Sequence, residues 1–592
     1  MPYARPRHRP RARCALVTSL TGVLLAAASA CSIGGPPTAA QAGECTAEVL
    51  EPAVVQGPGP ESPLLREELT IEGVVIGDFQ GDEQADGDLD GFFVQGAADG
   101  DPASSDAVFV YAPNGAAVGA GDRVQVSGTV EEQFAQTQVA DVTRLAICGR
   151  DSLPDAISLS VPLTSPASYE ALEGMRVELG GLTVAETRLV DDFGEVLLSA
   201  GGSLTTPTEH ADPGQDARAV ALANLERQIV LDDGRSGTQQ RPVRYLDPGA
   251  TLRVGDTLDE LTGVLSFAFE RWRVQPTGPV RFSRANPRVD AAAEVGGKLR
   301  IAGFNVLNYF TSLTGGRGAS NPEDFAEQQA KIVAAISALN ADVVALAEME
   351  SNDGVATQAL VDALNDAAGQ PRWAAVPVPV NFTGTDEITV AQIYQPHAVE
   401  PVGEPVALPD PSFANARQPI AQTFTGGGET FTLIANHFKS KSCGRASGEN
   451  ADQDDGAGCW NADRTRQAQA LAAFVDDRRV ASGDDDVLIV GDLNSYTREE
   501  PVDVLVLAGL VNQLTRHVPE PQRYSYVFDG ARGVLDHSLA TPGLSAKITG
   551  ATIWHINADE PDLLEYTGDG AYTQLDPYRA SDHDPLIVGI GS

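Results

Sequence analysis

The spacing of hydrophobic and polar positions divides the chain into two parts. Up to about residue 290, apolar residues recur at every second position in short runs such as residues 69–79 (LTIEGVVIGDF), and Gly, Asp or Pro bounds each run. A period of two is typical of half-buried strands. From residue 299 onward, apolar strands are separated by longer stretches with the period of amphipathic helices. The pattern therefore predicts an all-β N-terminal part and an α/β C-terminal part.

The N-terminal part is long enough for two domains. Residues 43–150 contain about five short strands, which suits a small OB-like β-barrel domain. Residues 151–290 show the same pattern of short strands and predict a second all-β domain. A loose sequence likeness between the two segments hints that the second is also a barrel. The segment 283–298 (SRANPRVDAAAEVGGK) has the composition of a linker. Residues 291–592 are then left for the α/β domain.

The C-terminal part predicts three helices and five strands ahead of its last motifs. The predicted helices are 322–340, 358–368 and 461–479, and the predicted strands are 299–310, 341–350, 388–395, 430–440 and 485–496. The first helix carries Glu323 and Asp324 in its first turn, where negative charge interacts favourably with the helix dipole. Several of the strands run directly into polar residues.

Six apolar strands end or begin at polar side chains. These are Asn305 and Asn308, Glu348 and Glu350, Asn436 and His437, Asp492 and Asn494, Asp536 and His537, and Asp582 and His583. Taken alone, an Asp-x-Asn is usually a turn and a histidine is usually a hydrogen-bonded core residue. Charged groups at the rim of a packed sheet cost desolvation unless something pairs with them. Six such pairs therefore indicate one shared site.

The residue types at these strand ends fit metal-assisted phosphoester hydrolysis. Carboxylate and amide oxygens without thiolate suit Mg²⁺ or Mn²⁺, and histidine transfers protons near neutral pH. Because side chains two residues apart in a strand share a face, Asp492 and Asn494 are expected to point the same way.

The order of these motifs resembles a known group of enzymes. The motifs are GFNVLNYF, ALAEMES, ANHFKSK, GDLNSY, VLDHSLAT and ASDHDPLIV. Together they resemble the endonuclease/exonuclease/phosphatase superfamily, whose fold is a DNase I-like four-layer α/β sandwich. The segments GVVIGDFQG, GFFVQ, RQPIAQTF and DGAGCWNADRTRQAQAL are further similar to secreted bacterial nucleases of the ExeM/NucH type. Those nucleases carry β-barrel domains before the nuclease domain.

The resemblance implies a role for each matching residue. It assigns the metal to Asn305, Glu348 and Asp582, a phosphate contact to Arg417, and catalysis to His437, Asp492, Asn494, Asp536 and His583. Within that set, Asp492 and Asn494 hold the attacking water and the phosphate, and His437 lies on the leaving-group side. Asp536 orients His583, which stabilises the transition state or acts as the base. The general base is thus either Asp492 or His583.

One position departs from the pattern of the similar nucleases. In QIYQP, Gln395 stands where those nucleases more often have Lys or Arg. The departure implies a weaker phosphate contact at Gln395 and a larger share of that contact for Arg417.

The N-terminus predicts export. Five arginines precede an apolar run from Cys14 to Ala30, which is too short and too weakly flanked to span a bilayer. Ala40-Gln41-Ala42 fits a cleavage site, so residues 1–42 are interpreted as a signal peptide and the protein as extracellular. The alternative is a lipid anchor at Cys31, within a weak lipobox that has Ala where Leu is usual. No later stretch is predicted to span a membrane.

Cysteine usage agrees with export. Of six cysteines, Cys45, Cys148, Cys443 and Cys459 remain after cleavage at residue 42. Four cysteines in an exported chain predict two disulfides with three possible pairings. Pairing within each domain gives Cys45–Cys148 and Cys443–Cys459. No C-x-x-C spacing occurs, so a zinc site is not expected.

The net charge of the chain restricts how it can bind nucleic acid. The formal net charge is −41, and it becomes −46 when the five arginines of the signal leave. Such a surface repels polyanions at long range and suits solubility outside the cell. A nucleic-acid substrate therefore needs local cations, either a metal ion or a few clustered Lys and Arg.

Two acidic loops are candidates for a structural Ca²⁺. Asp86, Asp88 and Asp90 followed by Gly91 resemble the start of a calcium loop, but the twelfth position is Ala97 rather than Glu. The loop between Cys443 and Cys459 is also acidic. In both places a solvated loop is the favoured interpretation.

The favoured function is a secreted, metal-dependent nuclease, expected to be a monomer, that hydrolyses extracellular DNA; RNA is an alternative substrate that the sequence leaves open. One alternative is another phosphodiesterase or phosphatase of the same fold, such as a sphingomyelinase-like enzyme. Membrane-acting relatives usually add exposed aromatic hairpins, and aromatic residues are only 6% of this chain. The other alternative is a non-catalytic secreted binding protein, because OB-like barrels bind oligonucleotides in other proteins. A spacer or substrate-presenting role is equally compatible with such barrels.

Overall fold

The computed structural model describes residues 41–591 except 43, 44, 46, 47, 82–87, 114, 164–168, 240, 241, 247–250, 314, 315 and 568–571. Most of the predicted signal peptide, including the Cys31 of the alternative lipid anchor, lies outside these residues, and so does Asp86 of the first calcium candidate. Within the described ranges, every helix is too short or too polar to cross a membrane.

The first 110 or so described residues form one sheet whose strands pair in a closed cycle. Its strands are β1 (Gln41–Ala42), β2 (Glu68–Phe79), β3 (Gly91–Gln95), β4 (Ala107–Tyr111), β5 (Asp122–Gln133) and β6 (Gln136–Arg150). The order is β5-β2-β3-β4-β6, β6 pairs back to β5, and β4 and β6 run parallel. The predicted alternation is visible in β2, where Ile71 and Val75 are fully buried. Cys45 and Cys148 form a disulfide across this unit.

The next region mixes strands with short helices. Its strands are β7 (Ile157–Ser158), β8 (Arg176–Leu179), β9 (Leu182–Glu186), β10 (Val196–Ala200), β11 (Leu204–Thr205), β12 (Gln228–Leu231), β13 (Thr257–Leu258), β14 (Leu261–Ala268), β15 (Arg271–Pro276) and β16 (Phe282–Ser283). All except β11 pair in the order β16-β13-β9-β10-β12-β15-β14-β8-β7. We refer to residues 157–283 as the middle region.

The prediction of an all-β middle region is wrong in one respect. Besides short helices, the region contains the twelve-residue helix Gln215–Glu226. That helix is amphipathic only weakly, with Ala217 buried and Leu222 and Leu225 exposed, so its helical period is hard to recognise in the sequence. The described strands of this sheet pair in an open order from the edge strand β16 to the edge strand β7, which does not support the hint of a second barrel.

Glu173 lies buried where the first sheet meets the middle region. Its Oε1 accepts hydrogen bonds from Gln56 Nε2 (3.2 Å) and Thr137 N (3.0 Å). Burial, followed by repulsion from Glu170, raises the pKa of Glu173 to about 8. The folded protein therefore binds this proton more tightly than the unfolded chain does. The stabilising effect is complete below the ordinary pKa of 4.5 and is lost as the pH rises towards 8.

We expect Glu173→Gln to flatten the pH dependence of stability. The variant carries no titrating group at 173, so it should avoid a loss of roughly 1.4 kcal/mol per pH unit over that range. The unfolding midpoint should fall with rising pH more steeply in the wild type than in the variant. Glu68→Gln, on an exposed position of β2, is the matched control. Parallel curves for wild type and Glu173→Gln would contradict the assignment.

The C-terminal region contains two six-stranded sheets. Its strands are β17 (Leu299–Tyr309), β18 (Val343–Glu350), β19 (Ala374–Ala375), β20 (Ile388–Tyr394), β21 (Val399–Ala407), β22 (Ile420–Gly426), β23 (Glu429–His437), β24 (Val487–Asp492), β25 (Val511–Asn512), β26 (Tyr526–Phe528), β27 (Ala531–Gly533), β28 (Asp536–Ala540), β29 (Ile548–Ile553) and β30 (Leu586–Ile590). One sheet has the order β19-β20-β18-β17-β30-β29, and the other has the order β21-β22-β23-β24-β28-β25.

Helices cover the outer face of each sheet. The helices whose full extent lies within the described residues are α1 (Pro52–Gln56), α2 (Val190–Phe193), α3 (Pro207–His210), α4 (Gln215–Glu226), α5 (Pro322–Leu339), α6 (Val355–Ala368), α7 (Asn461–Ser482), α8 (Glu500–Leu507), α9 (Gln513–His517) and α10 (Pro542–Ser545), with 3-10 turns at Pro411–Phe413, Gly448–Asn450, Glu520–Gln522 and Asp562–Leu564. The three helices and five strands predicted in this part are confirmed to within a few residues at their ends. In α5, the Asn321 side chain caps the helix by accepting from Asp324 N.

Successive residues of each strand enter different cores. In β24, Leu488 packs into the core between the two sheets, whereas Ile489 packs against α7 and α8. In β17, Ile301 belongs to the same central core and Ala302 to the core under α5 and α6. The layers are therefore helix, sheet, sheet, helix. This arrangement explains why the strands read as continuous apolar runs, because both faces of each sheet are covered.

The middle region is joined tightly to the C-terminal region. Strand β11 pairs in parallel with β27, which forms a hairpin with β26, so one small sheet combines both regions. Arg253 forms ion pairs with Asp559 and Glu560, and all three side chains are almost fully buried. Separating a buried ion pair leaves charges without compensation and is strongly unfavourable. A freely moving spacer is therefore a poor description of the middle region.

Candidate active site

Neighbouring strands bring the predicted catalytic residues to one end of the two sheets. His437 at the end of β23 pairs with Asp492 at the end of β24, and Asp492 pairs with Asp536 at the start of β28. The other sheet approaches closely at β17, where a Cβ on Gly303 would lie 2.3 Å from Val490 Cγ1. Glycine at 303 therefore lets the two sheets close together just below the site.

Asp492 is the centre of this arrangement. Its Oδ1 accepts a hydrogen bond from Asn494 N (2.7 Å), and its Oδ2 accepts bonds from Asn305 Nδ2 (3.3 Å) and Asn494 Nδ2 (3.2 Å). Burial raises the pKa of Asp492 to about 7, opposed by the positive charge of His583. A buried carboxylate with a raised pKa is a feature of catalytic groups.

The sequence predicts that Asp492 and Asn494 point the same way from one face of a strand; their side chains do lie together, with Asn494 Nδ2 3.2 Å from Asp492 Oδ2, but for a different reason. The strand ends at Asp492, and Asn494 adopts the left-handed conformation with φ of 47°. A turn, rather than strand alternation, therefore brings the two side chains together. Leu307, Asn308 and Glu348 also have positive φ. Such conformations are unfavourable for residues other than glycine, and they concentrate at functional sites.

Glu348 lies opposite Asp492 on the other sheet. Its Oε1 accepts a hydrogen bond from Asn305 Nδ2 (3.2 Å), and its Oε2 accepts one from Asn308 N (3.0 Å). Asn305 therefore bridges Glu348 and Asp492. Burial raises the pKa of Glu348, and the charge of Asp582 raises it further. Two carboxylates thus repel each other at this position.

His583 is held by Asp536. The His583 Nδ1 lies 2.7 Å from Asp536 Oδ2, which also accepts a hydrogen bond from Ser525 Oγ (2.8 Å). Burial alone lowers the pKa of His583, but the charges of Asp536 and Asp582 outweigh burial and hold that pKa well above its usual value. Because Nδ1 is engaged, Nε2 is the ring nitrogen left to face a substrate.

His437 and Arg417 complete the wall around Asp492. The His437 Nε2 lies 3.3 Å from Asp492 Oδ2, and burial with repulsion from Arg417 holds the pKa of His437 well below its usual value. Arg417 is buried, its Nη2 donates to the carbonyl of Phe438, and its Nη1 lies 3.8 Å from Asp386. Asn494 Nδ2 donates to the same Phe438 carbonyl (3.2 Å).

The loop closed by the Cys443–Cys459 disulfide lies beside this wall. Arg464 is fully buried, and it donates to the carbonyl of Cys459 (2.7 Å) and to Ser495 Oγ (3.1 Å), just after Asn494. Two acidic side chains of the loop accept hydrogen bonds from its own backbone, Asp452 from Asp454 N (2.8 Å) and Asp455 from Ala457 N (2.9 Å), and Glu449 pairs with Arg466 (2.7 Å). In the other calcium candidate, Asp88 accepts from Arg244 (2.5 Å). Neither observation adds support for a bound Ca²⁺.

Several strand-end residues have structural rather than catalytic contacts. Glu350 accepts hydrogen bonds from the backbone of Thr311 and Ser312 and so fixes that loop. Asn436 and His537 lie on the opposite face of their strands, where Asn436 Nδ2 donates to the carbonyl of Ile434 (2.7 Å) and His537 Nε2 lies 2.8 Å from the carbonyl of Ser495.

The expectation that Gln395 lies at the phosphate site and weakens a contact there is wrong. Strand β20 runs antiparallel to β18, so Tyr394 pairs with Val343 at the start of β18, whereas Ile388 pairs with Glu350 at its end. Gln395 therefore lies at the far end of the sheet from Glu348. There it donates to the carbonyl of Ala341 (2.6 Å). Its side chain has no bearing on phosphate binding.

The donor set fits a hard divalent cation. Asn305, Glu348 and Asp582 supply amide and carboxylate oxygens, which Mg²⁺ and Mn²⁺ prefer. The raised pKa of Glu348 next to Asp582 indicates negative charges that a cation would compensate. Among the described residues, no three His, Cys, Asp or Glu side chains form a closed cage. Mg²⁺ does not require one, because it is usually bound by one or two carboxylates with water and substrate oxygens.

Comparison with known proteins agrees with this geometry. Residues 302–583 match the model of the Endonuclease/Exonuclease/phosphatase family. The C-terminal domain is a member of that family. Its name covers enzymes that hydrolyse phosphoester bonds, so the domain has the fold of a phosphodiesterase, nuclease or phosphatase. Residues 164–284 match a domain of unknown function, DUF8508.

Solved structures of similar proteins cover about half of the chain. An endonuclease/exonuclease/phosphatase from Bacteroides vulgatus is 13% identical, with coverage of 49% of this chain and 97% of that chain and a TM-score of 0.33. The human Nocturnin catalytic domain is 14% identical, with coverages of 50% and 96% and a TM-score of 0.33. A mannosyl-6-phosphatase from Bacteroides thetaiotaomicron is 13% identical, with coverages of 49% and 99% and a TM-score of 0.34. No curated protein matches the chain. The narrower resemblance to ExeM/NucH nucleases stays a prediction.

Proposed function

We propose that the protein is an exported, metal-dependent nuclease that hydrolyses phosphodiester bonds of extracellular DNA, with RNA as a second polymer. The observation that carries this proposal is the position of Asp492, which is bonded to Asn305 and Asn494 and lies 3.3 Å from His437. Phosphodiester hydrolysis needs a carboxylate held in a fixed orientation by hydrogen-bond donors, and these contacts supply one. Export is supported by the two disulfides and the N-terminal sequence.

In this proposal the chain's own residues share the work of an in-line attack by water. Asp492 orients the attacking water, and either Asp492 or His583 takes its proton. The Nε2 of His583 and the guanidinium of Arg417 offset negative charge on the phosphoryl oxygens. His437 lies on the side of the leaving oxygen. A divalent cation held by Asn305, Glu348 and Asp582 would polarise a non-bridging oxygen.

Activity is expected to require Mg²⁺ or Mn²⁺, and Glu348→Gln should raise the metal concentration for half-maximal rate by at least about tenfold. The measurement is plasmid cleavage after chelation and metal readdition, with calorimetric metal titration as a readout independent of turnover. Glu350→Gln, two residues along the same strand, is the matched control. It should lower stability by loosening residues 311–312 without changing the metal requirement. Full activity in chelator would exclude the metal site.

The first sheet is proposed to be an OB-like barrel. The closed pairing of β2, β3, β4, β6 and β5 supports this assignment. The domain limits of the proposal are 43–150, 151–290 and 291–592, with a signal peptide at 1–42. The buried ion pairs between the middle region and the C-terminal region support a substrate-presenting role for the middle region rather than a spacer role.

The main competing function is a phosphodiesterase that acts on membrane phospholipid. One observation favours it. Phe134 and Phe269, at the tips of the β5–β6 and β14–β15 hairpins, are 69% and 40% exposed, and their rings stack at 6.5 Å. Aromatic hairpin tips of this kind suit insertion at a membrane interface.

One fluorescence assay separates these functions. The purified protein with Mg²⁺ is offered double-stranded DNA, RNA, a phosphate monoester and vesicles containing a choline phospholipid. We expect the fastest turnover on DNA. Faster turnover of the phospholipid, with loss of that activity in Phe134→Ser, would establish the competing function. Turnover of none of the substrates would favour the non-catalytic binding protein.

A further inference from the structure

A cavity of about 150 Å³ lies between the middle region and the catalytic residues. Its lining includes Arg188, Glu186 and Val254 of the middle region and Tyr526 and Asp582 of the nuclease domain. Three more carboxylates line it, and each is neutralised by an ion pair: Glu560 with Arg253 and Arg288, and Asp562 and Glu565 with Arg579. Asp582 is a predicted metal ligand, and the ring of Tyr526 lies 4.6 Å from that of His583. The cavity therefore opens next to the residues proposed to perform the chemistry.

The middle-region side of the cavity is held firmly against the nuclease domain. Glu186 Oε2 accepts a hydrogen bond from Gly530 N (2.8 Å), in the turn of the β26–β27 hairpin. The same hairpin carries Tyr526 and pairs with β11. Arg188 is thus placed relative to His583 by backbone pairing and a buried carboxylate, as precise substrate recognition requires.

Arg188 is held in place by one ion pair, which leaves part of its guanidinium available to a ligand. Its Nε lies 2.9 Å from Glu186 Oε1, and the side chain is 45% exposed. Among the described residues, no hydrogen bond involves its two Nη groups. Arg579, which also lines the cavity, differs in that its donors go to Asp562, Glu565 and backbone carbonyls. Arg188 therefore offers the free guanidinium fork of this cavity.

We propose that the cavity binds the sugar–phosphate unit next to the scissile phosphodiester, and that Arg188 donates its two Nη groups to that flanking phosphate. A guanidinium fork matches two phosphate oxygens in geometry and charge. The volume is below the roughly 300 Å³ typical of pockets for whole ligands, so it suits one such unit rather than a complete nucleotide. This inference rests on the proposed nuclease function. It makes the middle region part of the substrate site.

The test compares two phosphodiesters in wild type and Arg188→Gln. An oligodeoxynucleotide has flanking phosphates, whereas bis(p-nitrophenyl) phosphate has none. We expect the ratio of kcat/KM for the oligodeoxynucleotide to kcat/KM for the small diester to fall about ten- to a hundredfold in the variant. The slope of log kcat/KM against log salt, measured on the oligodeoxynucleotide, should become shallower by about 0.7 to 0.9. Arg188→Lys keeps the charge but not the fork, so its kcat/KM ratio should lie between those of the wild type and Arg188→Gln.

Arg123→Gln is the matched control. Arg123 is also about half exposed and also paired with a glutamate, Glu72, but it lies on β5 of the first sheet. It should leave both the ratio and the salt slope at their wild-type values. An equal loss on both diesters in Arg188→Gln, with an unchanged salt slope, would show that Arg188 only supports the hairpin and would overturn the inference. A wild-type enzyme that cleaves the small diester but no polynucleotide would instead overturn the proposed function.

Discussion

Asp492→Asn is expected to lower kcat for DNA cleavage by about three orders of magnitude, from the size of general-base and positioning effects in enzymes. Asn is nearly the same size as Asp, so the packing around position 492 should persist. The amide cannot accept a proton from water, and it does not carry the negative charge that lies among Asn305, Asn494 and His437. The loss should therefore appear in kcat more than in KM.

The same substitution should not destabilise the protein. Burial disfavours the ionised form of Asp492, as its raised pKa of about 7 shows. Removing a group that is costly to bury should leave the unfolding midpoint equal to that of the wild type or above it. Activity and stability would then change in opposite directions, which is common for active-site residues.

Asp486→Asn is the matched control for Asp492→Asn. Asp486 precedes the same strand at its other end, is also buried, and forms an ion pair with Lys547 (2.6 Å). Its substitution should lower the unfolding midpoint and leave kcat close to the wild-type value. Plasmid cleavage and thermal unfolding are measured for both variants. An Asp492→Asn enzyme within tenfold of the wild type would remove Asp492 from the mechanism.

The secondary structure of the C-terminal domain could be predicted from local patterns. Strand β24 and helix α5 are encoded by apolar spacing and, in α5, by a cap at Asn321. The convergence of polar residues could also be anticipated, because several buried strands end in them. Which of those residues share a site depends on register between distant segments. That register places His437 beside Asp492 and turns Asn436 away.

Other features could not be read from the sequence. The displacement of Gln395 to the far end of its sheet follows from the antiparallel direction of β20, which no local pattern reveals. Arg188 is separated from Asp582 by almost four hundred residues, and long-range contacts such as the pairing of β11 with β27 and the Glu186–Gly530 hydrogen bond bring the two regions together. Contacts of such high sequence separation have no local signal.

A double-mutant cycle on Asp536 and His583 is expected to show strong coupling. His583→Ala should lower kcat/KM by about a thousandfold, and Asp536→Asn should lower it by about a hundredfold, as for other hydrogen-bonded catalytic pairs. We expect Asp536 to act through His583, because its Oδ2 lies 2.7 Å from His583 Nδ1. Once His583 is absent, the second substitution should cost little. The double variant should therefore resemble His583→Ala alone.

The neighbouring His555–Asp584 pair provides the control for this cycle. His555 Nδ1 lies 2.9 Å from Asp584 Oδ2, so the pair has the same chemistry, but its Nε2 lies 3.1 Å from the carbonyl of Gln522. A histidine with both nitrogens engaged by the protein has none left for a substrate, so His555→Ala should lower stability while kcat/KM stays near the wild-type value. Additive losses for Asp536→Asn and His583→Ala would instead mean that the two residues act separately. Asp536 would then need a direct role towards the substrate, which its buried position between Ser525 and His583 makes sterically unfavourable.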